Sequence, residues 1–213
     1  MARMTQDGRR LRGLRSRETI LGQAVSLASV EGLDGLSLGR LAAAIGISKS
    51  GFFAHWRDKE ELQLDAVDWA ARQWREHIVA PALRAPAGVR RLFALHEARL
   101  RFYAEHVLPG GCFFRAVQAE FDDRPGEVRD RIVRALRDWE AFIRGLVEEA
   151  IALGELAPGV DPAQLAFEIE ALGEMAVTHS RLLDERLAFA HARRAVLQRL
   201  RGLCPDPSLL PED

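Results

Sequence analysis

GISKSGFFAHWRDKEEL, residues 46–62, decides how the chain is read. A glycine precedes a Ser-Lys-Ser-Gly run, three large aromatic residues fall within five positions, and a charged D-K-E-E-L follows. Drawn at about 100° per residue, Phe52, Phe53 and Trp56 share one side of a short helix and Ser50, Gly51, Ala54 and His55 share the other. So short a helix is marginal alone, and the spacing predicts that its rings are driven into neighbouring helices, which hold it by tertiary packing. Its outer side carries small residues, so the backbone can approach a surface closely, with Lys49 and His55 reaching groups at the margin.

Upstream, Ser16 to Glu31 sets Ile20, Ala24, Leu27 and Ala28 on one helical face, and Gly32 is placed to end that helix. Ser37 can cap a second helix, in which Leu38, Leu41, Ala42 and Ile45 follow i, i+3, i+4, i+7 spacing. Gly46 then stops it, because glycine adopts positive φ without steric cost, and Ser48 caps the short third helix. Helix, glycine turn and short helix form the pattern of a helix-turn-helix, whose second helix enters the major groove of DNA.

Downstream, Asp58 and Glu61 resemble a capping box and open a long helix. All nine prolines fall at or after residue 81 and mark off helical lengths: 86–109, 125–158 and 162–205. Asp161-Pro162 is a cap followed by a first-turn proline. The helix it opens repeats Leu165, Ile169, Leu172, Ala176 and, less strictly, Leu183; the last helix repeats Phe189, Ala192, Val196, Leu200 and Leu203. No alternating strand pattern and no internal repeat is present. The sequence is expected to be all-α, with a basic arm and helix-turn-helix domain over residues 1–57 and a helical domain over residues 58–213.

A chain of 213 residues, 48% hydrophobic, can bury a sizeable core. Its longest uncharged run, Thr19 to Val30, is too short to span a bilayer. The arginine-broken N-terminus is unlike a secretory signal, so a cytoplasmic protein without membrane contact is expected. Cys112 and Cys204 form neither a disulfide framework nor a zinc spacing, and no metal or cofactor is expected. Up to residue 57, nine basic residues face four acidic ones, a net of +5; with −1 for the whole chain, −6 is left for the remainder. A basic quarter on an acidic body points to a polyanion met by the first part alone, although terminal arginines also serve merely to solvate a tail.

Residues 17–64 resemble the N-terminal domain of TetR-type transcriptional regulators. The resemblance rests on the first helix ending in E-G, Ser37 before L-x-x-L-A-x-x-x-G, the I-S-K-S-G turn, the run from Phe53 through His55 to Trp56, and the D-K-E-E-L opening. It implies a homodimer that binds a double-stranded DNA operator, usually as a repressor released by a small-molecule effector. By resemblance, Lys49, Ser50, Gly51, Phe53 and His55 lie at the DNA-reading positions, and Ser37 and Lys59 at positions that meet phosphate. Capping is the competing role for Ser37 and Ser48, and a solvated helix lysine for Lys59. Three departures stand out: Phe53 where tyrosine is common, without the hydroxyl that bonds phosphate; Trp56 for the usual phenylalanine, read as a packing change; and Ala54, which offers no hydrogen bond. The arginine-rich arm before residue 17 either follows a minor groove or makes no contact.

The same resemblance implies an effector pocket in the second domain. Trp74, Arg99, Tyr103, Phe113, Trp139 and Phe142 are its candidate lining, with ordinary core as the alternative for each. The segment 109–130, with paired glycines Gly110 and Gly111, resembles one branch of these regulators. Cys112 there is either a redox or electrophile sensor or a buried, inert thiol. For the dimer interface, Leu165, Leu172, Gly173, Ala176, Val196 and Leu200 of the last two helices are expected, against completion of the subunit's own core.

Enzymatic readings find little support. His96-Glu97 begins an H-E-x-x-H, but position 100 is Leu, and no P-loop or G-x-S-x-G is present. An activator or ligand-independent regulator of the same fold, or a helical adaptor that does not bind DNA, are the alternatives. The adaptor leaves the basic N-terminal domain and the slim third helix unexplained.

Overall fold

The computed structural model describes residues 2–46, 48 and 52–212, with side chains from residue 16 onward. Among these residues there is no strand. Eight helices follow in order: α1 (Ala2–Glu31), α2 (Leu38–Ile45), α3 (Lys59–Trp74), α4 (Val89–Ala104), α5 (Phe113–Phe121), α6 (Glu127–Ala152), α7 (Pro162–Leu182) and α8 (Glu185–Leu203). α3 runs on through a π-helical turn, Arg75–Val79, into the short piece Ala80–Ala82. Pro81 lies in that piece; it has no N–H to give to an i−4 carbonyl, which accounts for the loosened turn before it.

Two compact units form, one from Met1–Ala70 with Leu108–Ile132, the other from Ala71–Val107 with Val133–Asp213. The expected boundary at 57/58 falls inside the first. The basic stretch before residue 17 is also not an arm separate from the fold: its backbone is helical from Ala2 and continuous with α1. Arg, Leu and Met are good helix formers, and no proline interrupts them.

In the first unit, α1 buries Ile20, Leu21, Ala24, Val25 and Ala28. Gly32 ends it at φ 77°, its N–H on the Ala28 carbonyl 2.9 Å away. Ser37 caps α2 by accepting from the Arg40 N–H at 3.1 Å, and Gly46 closes it at φ 69°. α5 packs on α1. A Cβ on Gly110 would overlap the Ser29 backbone carbonyl, and its N–H reaches the Ser29 Oγ at 2.9 Å, so only glycine lets the α4–α5 loop lie this close to α1.

In the second unit, α7 and α8 form an antiparallel pair against α4. Asp161 caps α7 by accepting from Ala163 and Gln164 N–H groups ahead of Pro162, and Asp184 caps α8 through the Leu187 N–H. Leu100, Ala176 and Ala192 make a buried cluster there, with Phe189 packed against it.

Candidate nucleic-acid interface and effector site

Beyond Gly46, backbone bonds meet at Phe52. Phe52 N–H donates to the Ser48 carbonyl at 3.2 Å, and Trp56 N–H to the Phe52 carbonyl at 3.3 Å. Phe52 and Trp56 are fully buried, with ring centroids 5.3 Å apart. Phe53 is 53% exposed and meets Phe52 edge-on. The expected clamp of three rings is therefore a clamp of two. Positions i and i+4 share a face, whereas Phe53 lies about 100° round the helix and joins the outer side. Ala54 is exposed and His55 half-buried beside it. Lys49, Ser50 and Gly51 lie outside the described residues.

Trp56 does more than fill space. Its indole N–H donates to Asp65 Oδ2 on α3 at 2.6 Å, and that oxygen also takes the Arg17 guanidinium from α1. Arg17 lies over the indole, 5.4 Å from the ring centroid.

The turn between α1 and α2 is a polar junction. Glu120 of α5 accepts from the Leu33 N–H at 2.8 Å and from the Asp34 N–H at 3.4 Å. Asp34 pairs with Arg124 at 2.7 Å and with Lys59 at 3.5 Å. The Arg124 hydrogen bond, followed by the charge of Lys59, holds the Asp34 carboxyl below the usual carboxylate range. Lys59 Nζ also donates to the Asp34 carbonyl at 2.7 Å. Ser37, exposed, keeps its capping bond. At the start of α3, Asp58 accepts from the Glu61 N–H, while Glu61 reaches back to the Arg57 N–H, one residue earlier than in the standard box.

In the second unit, Arg99 gathers most of the candidate effector residues. Its guanidinium, 2% exposed, meets Glu170 through Nη1 at 2.6 Å and Nη2 at 3.0 Å, and its Nε donates to the Tyr103 hydroxyl at 2.6 Å. Burial works against the charge, but Glu170 and then Tyr103 outweigh it and hold Arg99 above its ordinary value. The Trp139 indole N–H donates to the same Glu170 oxygen at 2.6 Å, and Arg99 lies 5.8 Å from the Trp139 centroid. The Trp139 ring lies 4.8 Å from that of Trp74 and 6.5 Å from that of Phe142, centroid to centroid. Trp74, Arg99, Tyr103, Trp139 and Phe142 thus come together. Phe113 does not join them: it is buried in the first unit beside Phe114. Cys112, 1% exposed, lacks the access that a thiolate sensor needs.

The residues expected at a dimer interface are mostly spent within the chain. Leu165, Gly173, Ala176, Val196 and Leu200 are buried in the subunit's own packing, and Leu172 is half-buried. Gly173 makes room for Arg99, whose Nη1 a Cβ would overlap. The apolar groups left outside are Phe167, Ala171, Met175 and Leu182, which share one face of α7, with Leu183 and Leu187 next in the chain.

Four carboxylates on which these arrangements turn, Asp34, Asp65, Glu120 and Glu170, were not singled out by the sequence pattern. The one available signal is Trp56 in place of phenylalanine, since a buried indole N–H requires an acceptor. Among the described residues no helix is long and apolar enough to cross a membrane.

The sequence matches two family models: bacterial regulatory proteins of the tetR family over residues 20–66, and the tetracyclin repressor-like C-terminal domain over residues 88–196. A TetR transcriptional regulator from Chloroflexus aurantiacus is 30% identical with a TM-score of 0.84, covering 91% of this chain and 98% of that one. A TetR-family regulator from Cytophaga hutchinsonii (20% identity, TM-score 0.79, 92% and 98% covered) shares the fold. So does AibR, solved in complex with isovaleryl coenzyme A and operator DNA (21% identity, TM-score 0.68, 89% and 98% covered). No curated protein sequence matches.

Proposed function

The chain belongs to the TetR family and is a DNA-binding transcriptional regulator, and we propose that it works as a homodimeric repressor released from its operator by a small-molecule ligand. The observation that carries the reading is the recognition segment, in which Phe52 and Trp56 are turned wholly inward and Phe53 and Ala54 are left outward. Inward rings hold a helix too short to stand alone, and the outer side is free to enter a major groove. Lys49, Ser50, Gly51, Phe53 and His55 then meet DNA, and Ser37 and Lys59 its phosphates. Phosphate contacts supply salt-dependent affinity; with few hydrogen-bonding side chains outward, part of the specificity comes from DNA shape.

The ligand site centres on Arg99, Tyr103, Trp74, Trp139 and Phe142, where several aromatic faces surround a few polar groups. AibR, with isovaleryl coenzyme A and operator DNA, shows a relative of this fold holding both kinds of partner. Dimerisation uses the apolar stripe Phe167, Ala171, Met175 and Leu182, which is exposed among the described residues. Two recognition segments in such a dimer must match major grooves about 34–36 Å apart, so a ligand that shifts α3 and alters that separation releases DNA. On this reading residues 1–57 read DNA, residues 58–213 serve ligand and dimer, and the protein acts in the cytoplasm without catalysing a reaction.

The test is selection of duplexes from a randomised pool, followed by mobility shift at graded salt with the wild type and Lys49→Glu. Salt-sensitive binding by the wild type, lost in Lys49→Glu while the dimer mass is kept, is expected. A folded wild type that enriches no duplex overturns the reading and favours an adaptor.

A further inference from the structure

A ring buried by apolar contact alone is held in depth but loosely in rotation. A directed hydrogen bond to a charged acceptor removes that freedom, and such bonds are roughly twice as strong as neutral ones. Trp56 closes the recognition segment and has this bond, from its indole N–H to Asp65 Oδ2 at 2.6 Å. Arg17 meets the same oxygen and covers the indole face, 5.4 Å from its centroid. Three pieces of chain therefore converge on one carboxylate: α1 through Arg17, the end of the recognition segment through Trp56, and α3 through Asp65. Phe52, the other inward ring, is all carbon and offers no such tether.

We propose that Asp65 is a positioning residue for DNA reading, which sets the tilt of the recognition segment through the Trp56 indole N–H. The proposal rests on the DNA-binding reading given above. The side chains of Arg17 and Asp65 are 39% and 28% exposed. Solvent therefore screens their ion pair, and it adds little to fold stability. What the triad supplies is angle. Binding sites demand their groups within about 0.5 Å and 10–20° of the productive pose, and a recognition segment that rocks about Phe52 alone loses base contacts before it loses its fold. Because Asp65 rides on α3, any rotation of α3 about its axis pulls on the indole and tilts the segment with it.

The probe is the duplex that the wild-type protein enriches from a randomised pool, with a scrambled duplex of equal length as control. Trp56→Phe keeps a ring, deletes the donor and also leaves the room of the lost fused ring, so a stability cost from lost packing accompanies it. The variant is expected to weaken the selected duplex by about five- to tenfold, to leave the scrambled duplex within about twofold, and to keep helix content and dimer mass. Asp65→Asn retains an acceptor for the indole and should stay closer to wild type than Asp65→Ala. Trp56→Phe combined with Asp65→Ala should discriminate no worse than Asp65→Ala alone, because Asp65 acts through Trp56. Wild-type discrimination in Trp56→Phe, equal losses on both duplexes, or additive losses in the double variant would overturn the proposal. A wild type that enriches nothing removes the DNA-binding reading and this proposal together, which sets that failure apart from the others.

Discussion

Gly173→Ala tests what the small residue on α7 is for. A Cβ at this position overlaps Arg99 Nη1 and comes within 2.6 Å of Cζ and 2.9 Å of Nε. Ordinary contact begins near 3.4 Å, so the guanidinium must retreat by about 1 Å, away from the Glu170 oxygens that it meets at 2.6 and 3.0 Å. The fork to Glu170 is lost or bent. Breaking a buried pair costs roughly 3–5 kcal/mol, and alanine returns up to about 1 kcal/mol over glycine in a helix. A net loss of about 2–4 kcal/mol remains, or roughly 4–16 °C in Tm for a chain of this length. Thermal unfolding at two protein concentrations, with mass by sedimentation, is the assay. The loss should be the same at both concentrations, since the clash is internal; an interface glycine would give a loss that grows on dilution. In an Arg99→Met background the methyl group has room, and Gly173→Ala should become neutral or slightly stabilising. An unchanged Tm for Gly173→Ala alone refutes the seat assigned to Arg99.

Phe52→Ala should cost about 3–5 kcal/mol by urea denaturation, whereas Phe53→Ala, at an exposed position, should stay within about 0.5 kcal/mol and yet weaken the enriched duplex; equal stability costs would contradict the two-ring clamp. Burial first, then the charge of Arg99, push His96 down to about 3, against a smaller opposing contribution from the Ala192 backbone, with Arg193 adding to the depression. The unfolded imidazole takes its proton near 6.5 and the folded one resists it, so stability is fully present above that pH and falls as pH drops. The slope is up to about 1.4 kcal/mol per pH unit from pH 6.5 down to about 3. His96→Leu should flatten that slope in urea titrations at stepped pH. Met175→Arg places a charge in the exposed stripe of α7 and should raise the dimer dissociation constant by roughly thirtyfold or more, read by sedimentation; an unchanged dimer would move the interface elsewhere.

The helices were legible because their signals are local. Gly32, Gly46, Ser37, Asp58 and Asp161 act within a turn of where they stand, and each does in the structure what its spacing implies. Burial was less legible, because helical periodicity reports that a face is apolar and not what covers it. Leu165, Ala176, Val196 and Leu200 make an apolar face whether the partner is α4 or a second subunit, and the structure gives them to the subunit. Gly173 has the same ambiguity, resolved only by Arg99, which is 74 positions away in the chain. Phe53 stands at the edge of the ring face, about 100° from Phe52 and about 60° from Trp56, and periodicity does not say whether a residue at that edge is covered. The carboxylates were hidden because Asp65, Glu120 and Glu170 lie in ordinary charged stretches, and their partners Arg17, Leu33 and Arg99 are 48, 87 and 71 residues distant.

The same device occurs in both units, and its surroundings decide what it controls. In both, a tryptophan N–H donates at 2.6 Å to a carboxylate that also holds an arginine, and the arginine lies over the tryptophan ring: Trp56, Asp65 and Arg17 in one, Trp139, Glu170 and Arg99 in the other. Arg17 is 39% exposed and Arg99 is 2% exposed. Solvent compensates the first when its donor is removed, whereas the second leaves a buried guanidinium to share a carboxylate that has lost a partner. Beyond the packing lost with the fused ring, a cost common to both Trp→Phe changes, Trp139→Phe should therefore lower stability by about 1–2 kcal/mol, roughly 2–8 °C in Tm, with DNA discrimination unchanged at temperatures well below unfolding. Trp56→Phe should lose only that shared packing cost in Tm, and lose discrimination as well. Both variants measured side by side decide the matter: a larger Tm loss for Trp56→Phe than for Trp139→Phe would mean that burial does not set the role of the triad.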